Sequence, residues 1–189
     1  MIEANSDLTW RDVQHILTTT AEKNDPGDTG WATNGAGYYI NHKYGYGRID
    51  AQAAVTLSAA STCDYAVETN VNGSSNPDLP IPDNNTTGVS DTINIASDVI
   101  IEFVEVNFTA ADHTYWGDLE ITLLSPEGTE SELSEEHLSG YTPSYNNWRF
   151  GSVRHFGESS QGDWTITVKD LVTIDTGTFQ SWSIKIYGT

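Results

Sequence analysis

Three runs of alternating apolar residues dominate the second half of the chain: Leu119, Ile121 and Leu123; Trp164, Ile166 and Val168; Trp182, Ile184 and Ile186. Successive side chains of an extended strand point to opposite faces, so each run lines one face of a strand. A period of two excludes a further helical unit there. Together with Ile93 to Ile95 and Val99 to Phe108, the runs are separated by turn-rich segments of the length found between antiparallel strands. Residues 91–189 are therefore expected to form a β-sandwich, jelly-roll-like in kind, with Ile100, Leu119, Ile121, Leu123, Trp164, Ile166, Val168, Trp182 and Ile184 in its core.

The first sixty residues read differently. In LTWRDVQHIL, Thr9 can cap a helix with Asp12 as its capping-box partner, and Trp10, Val13, Ile16 and Leu17 recur at helical spacing. AEKNDPGDTGWATNGAG is dense in turn formers and reads as a loop, after which DAQAAVTLSAA supplies a second, alanine-rich helix. Two short helices and a long loop cannot bury a stable core alone. Residues 61–90 concentrate Asn, Ser, Pro and Gly, so this stretch is expected to be a connector leading into the sandwich. With 27 acidic and 8 basic residues the net charge is -19, which repels nucleic acid and anionic membrane, and neither is expected as a partner. No apolar run is long enough to span a bilayer, and MIEANSDLTW lacks the regions of a signal peptide, so any export signal is expected upstream. Cys63 is the single cysteine, which excludes an intramolecular disulfide.

LTWRDVQHILTTTAEKND followed by GWATNGAGYYINHKYGYGRIDAQAAV resembles the end of the catalytic domain of subtilisin/kexin-like, proprotein-convertase-type serine proteases. Leu8 to Asp12, Trp31 to Asn34 and Tyr44 to Asp50 carry the likeness. The second half resembles the P domain, or Homo B domain, of the same family through HTYWGDLEITLLSPEGT, NNWRF, GDWTITVKD and the terminal GTFQSWSIKIYGT. With its plain linker the chain resembles the bacterial secreted members most. The resemblance implies a short α-helical remnant of a subtilisin-like α/β catalytic domain over residues 1–60, a linker and start of the P domain over 61–90, and the P domain over 91–189. It implies a secreted protein in which the P domain binds and stabilises its own catalytic domain. It also implies that the catalytic Asp, His and Ser lie upstream, with Met1 to Ala4 ending the serine-bearing helix. No catalytic residue is then expected in this chain, although its parent is a serine endopeptidase.

The remaining residues support the same expectation, because no GxSxG elbow, HExxH pair or phosphate-binding glycine loop occurs. His15, His42, His113, His137 and His155 are scattered, and His113 is expected to pair with Asp118 to hold a turn. Calcium is the one cofactor suggested by the acidic loops, with Asp118, Asp170 and Asp175 as candidate ligands and Asp112 and Asp163 also at turns. Trp116, Tyr141, Tyr145 and Trp148 fall in loop-like segments. Exposed, they would suit an alternative role, an extracellular module binding polysaccharide or a protein partner; packed, they would anchor the sandwich. Trp10, Trp31 and Tyr44 to Tyr46 are expected to pack the first part. Sequons stand at Asn72, Asn84, Asn85 and Asn107.

Overall fold

The structure, a computed structural model, describes residues 1–61, 66–138 and 145–189, and divides into two units, Met1–Val67 and Glu68–Thr189. Cys63 and Tyr141 lie outside the described residues.

In the first unit, Asn5 N–H donates to the Met1 carbonyl at 3.0 Å, forming a single turn over the opening residues. Helix α1 (Trp10–Thr20) follows, and both halves of the expected capping box are present. The Asp12 amide donates to the Thr9 hydroxyl at 3.2 Å, and the Thr9 amide donates to the Asp12 carboxylate at 2.6 Å, satisfying amides that a helix end leaves unpaired. Burial pushes the Asp12 carboxyl up, but hydrogen bonds from Thr9 and its own amide, with His15 nearby, hold it lowered overall. Strands β1 (Ala32–Thr33) and β2 (Tyr39–Ile40) make a small hairpin within the expected loop. Helix α2 (Ala51–Ala60) is capped by the Asp50 side chain, which accepts from Ala53 N–H at 2.9 Å. Leu8, Ile16 and Ala54 form the small buried core, with Met1, Val13 and Leu17 against it. Trp31 stacks on Tyr44 with centroids 6.0 Å apart, and Tyr46 meets Tyr38 edge-on, whereas Trp10 is 68% exposed, contrary to expectation. The α1 stripe follows Val13, Ile16 and Leu17, and Trp10 lies one turn beyond the surface it covers.

The second unit begins earlier than composition suggests. Strands β3 (Thr69–Ser75), β4 (Leu79–Ile81) and β5 (Asn85–Ile95) occupy most of the stretch read as a connector. Strand β3 is polar because it is an edge strand, paired only with the C-terminal strand; backbone hydrogen bonds rather than apolar alternation place it. There follow β6 (Ile101–Ala110), β7 (Leu119–Leu124), β8 (Glu130–Ser134), β9 (Tyr145–Ser152), β10 (Gly162–Asp170), β11 (Gly177–Phe179) and β12 (Ser181–Gly188). One antiparallel sheet has the order β3-β12-β6-β9 and the other β5-β10-β7-β8, with β4 and β11 as a separate pair. Apart from that pair, this is the connectivity of a jelly roll. The facing residues of both sheets form one core, including Val104, Val106, Phe108, Leu119, Ile121, Leu123, Trp164, Ile166, Val168, Trp182, Ile184 and Ile186. Ile100 is the exception among the expected core residues, 47% exposed while Ile101 is 1% exposed. Its N–H and carbonyl pair with Thr189 just before β6, where the register with β12 shifts, and this break reverses the facing.

Candidate functional site

One end of the sandwich gathers the acidic residues singled out in the sequence. Asp170 ends β10, while Asp118 closes a short 3-10 turn (Trp116–Asp118) that leads into β7. Leu171 N–H donates to the Asp118 carbonyl at 3.0 Å, drawing the two segments together. His113 is fully buried and places Nε2 3.2 Å from Asp170 Oδ2, so its partner is Asp170 rather than the expected Asp118. The other Asp170 oxygen accepts from Val172 N–H at 3.1 Å. Gly177 makes room for this pair, since a Cβ there would lie 2.6 Å from His113 Cβ and 2.7 Å from its Cα.

Around this pair the loops are tied to one another. Thr114 donates its hydroxyl to Asp175, and Asp112 accepts from Thr178 N–H at 2.9 Å. Ile174 holds φ at +100°, a conformation costly for a β-branched residue, and its N–H donates to Asp83 at 3.0 Å. Asp118 stands apart. Its exposure is only 4%. Burial pushes the Asp118 carboxyl up, and Asp170, Asp175 and Glu136 push it further against an opposing pull from His113. Among the described residues the ligand atoms of Asp118, Asp170 and Asp175 do not all lie within 4.8 Å of one another, so no three-carboxylate chelate is preformed. Asp163 lies elsewhere, on β10 opposite β5, accepting from Asn94 at 2.7 Å.

A second buried pair was not anticipated. His155 Nδ1 lies 3.6 Å from Glu158 Oε2, both side chains are fully buried, and Thr129 donates its hydroxyl to Glu158. The His155 ring meets Trp164 edge-on at 5.0 Å. The i, i+3 spacing of His155 and Glu158 was the only local signal for it; nothing local joins His113 to Asp170, which are 57 residues apart.

The aromatic candidates divide. Tyr145 is 1% exposed at the start of β9 and donates or accepts with Ser134 at 2.8 Å, and burial pushes its phenol up. Trp116 packs between Tyr145 at 5.3 Å, Trp148 at 6.0 Å and His137 at 4.8 Å, centroid to centroid. Trp148 is 43% exposed, on the edge strand β9 rather than in a loop.

Comparison with known proteins places this arrangement. Residues 101–186 match the proprotein convertase P-domain family. Human proprotein convertase subtilisin/kexin type 6 is 35% identical over 199 residues, covering 100% of this chain and 20% of its own length. Endoprotease bli-4 of Caenorhabditis elegans is 34% identical over 206 residues, again covering all of this chain and 21% of its own. The chain thus spans about a fifth of the curated relatives it matches. The crystal structure of the Aeromonas sobria serine protease in complex with its chaperone superposes with a TM-score of 0.89 at 24% identity, over 99% of this chain and 41% of that one, and so shares the fold.

Proposed function

We propose that this chain, which belongs to the subtilisin/kexin proprotein convertase family and carries its P domain at residues 101–186, is the non-catalytic supporting part of a secreted, calcium-dependent serine endopeptidase. Its work is intramolecular binding: a module that binds the folded catalytic domain better than the unfolded one stabilises it by the binding free energy.

One observation carries this reading. Helix α2 has only Gln52, Thr56 and Ser58 as polar residues, yet within its own unit it buries just Ala54 and Ser58. Val55 is 43% and Leu57 38% exposed, and Ile49 just before the helix is 63% exposed. A helix apolar on all sides belongs inside a larger body. The rest of a catalytic domain, to which residues 1–60 are the expected end, is the body that fits. The two buried imidazoles add support, because His113 and His155 are both fully buried and cannot meet a substrate.

The rival, a polysaccharide-binding module, has less behind it, since Tyr145 is buried and Trp116 is packed among other rings. The test is to express the parent protease with and without residues 68–189 and to assay secreted activity on a fluorogenic peptide with a basic cleavage site. Loss of mature, active enzyme on deletion is expected, with no turnover by this chain alone. Full activity without those residues would overturn the proposal.

A further inference from the structure

We infer that the second unit is built to resist proteases that cut after basic residues, and so is protected from the parent enzyme of which it is a part. This rests on the reading above, in which the parent acts at basic sites, but the observations behind it concern the placement of this chain's own lysines and arginines.

The first is where cations are missing. Residues 68–189 hold four, Arg149, Arg154, Lys169 and Lys185, and of the segments that join one strand of β3 to β12 to the next, only that between β9 and β10 contains any, namely Arg154. Proteases nick folded proteins in exposed connections, because there the chain can leave its own hydrogen bonds and extend into a foreign cleft. These connections are polar all the same, with Asp83, Glu127, Glu136 and Asp175 standing in four of them. Their charge is supplied by carboxylates.

The second is how the four cations are held. Lys169 and Lys185 lie in β10 and β12, each flanked by a strand on both sides, so the backbone around them is already engaged. Lys169 Nζ is 2.5 Å from Glu120, and Lys185 Nζ lies 4.7 Å from the centre of the Tyr187 ring. Arg149, on the edge strand β9, is 3.6 Å from Glu105. Arg154 donates Nε to the Glu130 carbonyl at 3.0 Å and its backbone N–H to the Ser152 hydroxyl at 3.2 Å. A protease must also draw in the residue beyond the bond it cuts. His155, Asp170 and Ile186 are fully buried, and Phe150 packs against the core. Cutting after any of the four therefore requires opening the sandwich itself. The first unit differs: Lys23, Lys43 and Arg48 lie between α1 and α2, and Ile49 after Arg48 is 63% exposed.

The test treats the whole chain, below its unfolding transition, with trypsin as a probe that cuts after Lys and Arg, and in parallel with a glutamate-specific protease. Each cut consumes one water and leaves a new carboxylate and a new amine, so fragment masses assign the bonds. Trypsin is expected to cut between Lys23 and Arg48 and to leave residues 49–189 whole, while the glutamate-specific enzyme cuts the sandwich in its connections. Thr173→Lys and Glu136→Lys, both at exposed positions, are each expected to let trypsin cut the sandwich at least tenfold faster with Tm unchanged. Equal rates of attack on the unaltered sandwich by the two proteases would overturn the inference, as would a sandwich that trypsin leaves intact in both variants. In the parent protease the same substitutions are expected to release the second unit by self-cleavage, and its retention in both would overturn the protective role. A parent that needs no second unit would fail the deletion test above without altering the trypsin result, which keeps the two failures apart.

Discussion

Trp164 shows how much one side chain carries in the second unit. It is fully buried, donates Nε1 to the Ser160 carbonyl at 2.9 Å and meets His155 edge-on. Trp164→Ala should therefore cost about 3–5 kcal/mol, read as a lowered denaturation midpoint, through lost burial and the cavity left behind. Gly88 works by what it lacks. Its φ is +68°, and a Cβ would lie 2.2 Å from the Val168 carbonyl oxygen, next to the irregular register of β5 and β10. Gly88→Ala should destabilise by more than about 1 kcal/mol, because no flexible side chain can give way. Asp118 makes the prediction with a sign. Its folded-state carboxyl is raised, so protonation favours the fold: its contribution is fully present below the ordinary value of 3.8 and is lost as pH rises through the folded value. Asp118→Asn should raise Tm at pH 7.5, and the gain should vanish near pH 3. An equal gain at both would show that removing the charge is not the cause. The residues of this site were legible one by one, as acids at turns, but His113 could not be assigned its partner. Asp118 stands five residues away and Asp170 fifty-seven, and only the pairing of distant strands decides which carboxylate the imidazole meets.

At the scale of elements, α1 was readable because its determinants are local. Thr9 and Asp12 lie within one turn, and their reciprocal hydrogen bonds are made by neighbours in sequence. Thr9→Ala should cost about 1 kcal/mol in the stability of the first unit and be visible as reduced helicity on warming; no change would mean that Asp12 caps alone. The strands of the sandwich core were readable for the same reason, since alternation depends only on the pleat. Strand β3 was not, because its evidence is its partner: Val71 faces Ile186 and Gly73 faces Ile184 across backbone hydrogen bonds. Gly73 also lies over Ile93, where a Cβ would be 2.4 Å from Cγ2. A strand selected by an edge to pair with, and by closeness to the other sheet, carries no pattern of its own. Ile100 failed for a related reason, since a one-residue break in register reverses the face of every side chain near it.

For the whole molecule, the two units differ in what each can sustain. The sandwich has a continuous core from both sheets, whereas the first unit has Leu8, Ile16 and Ala54 with three partly buried neighbours, Met1, Val13 and Leu17. Residues 68–189 expressed alone should fold cooperatively, with native near-ultraviolet circular dichroism, and residues 1–67 alone should not; the reverse result would mean that the division of stability has been misjudged. The sequence by itself determined the jelly-roll class, the two helices, the likeness to the end of a convertase and the excess of negative charge, because each follows from short-range periodicity, from motifs or from composition. Tertiary structure alone decided that the connector is part of the sandwich, that His113 serves Asp170, and that Trp10 and Ile100 face outward. The physical reason is the same in each case: backbone pairing and packing between distant segments fix which groups meet and which face water, and neither is encoded in the spacing of residues along the chain.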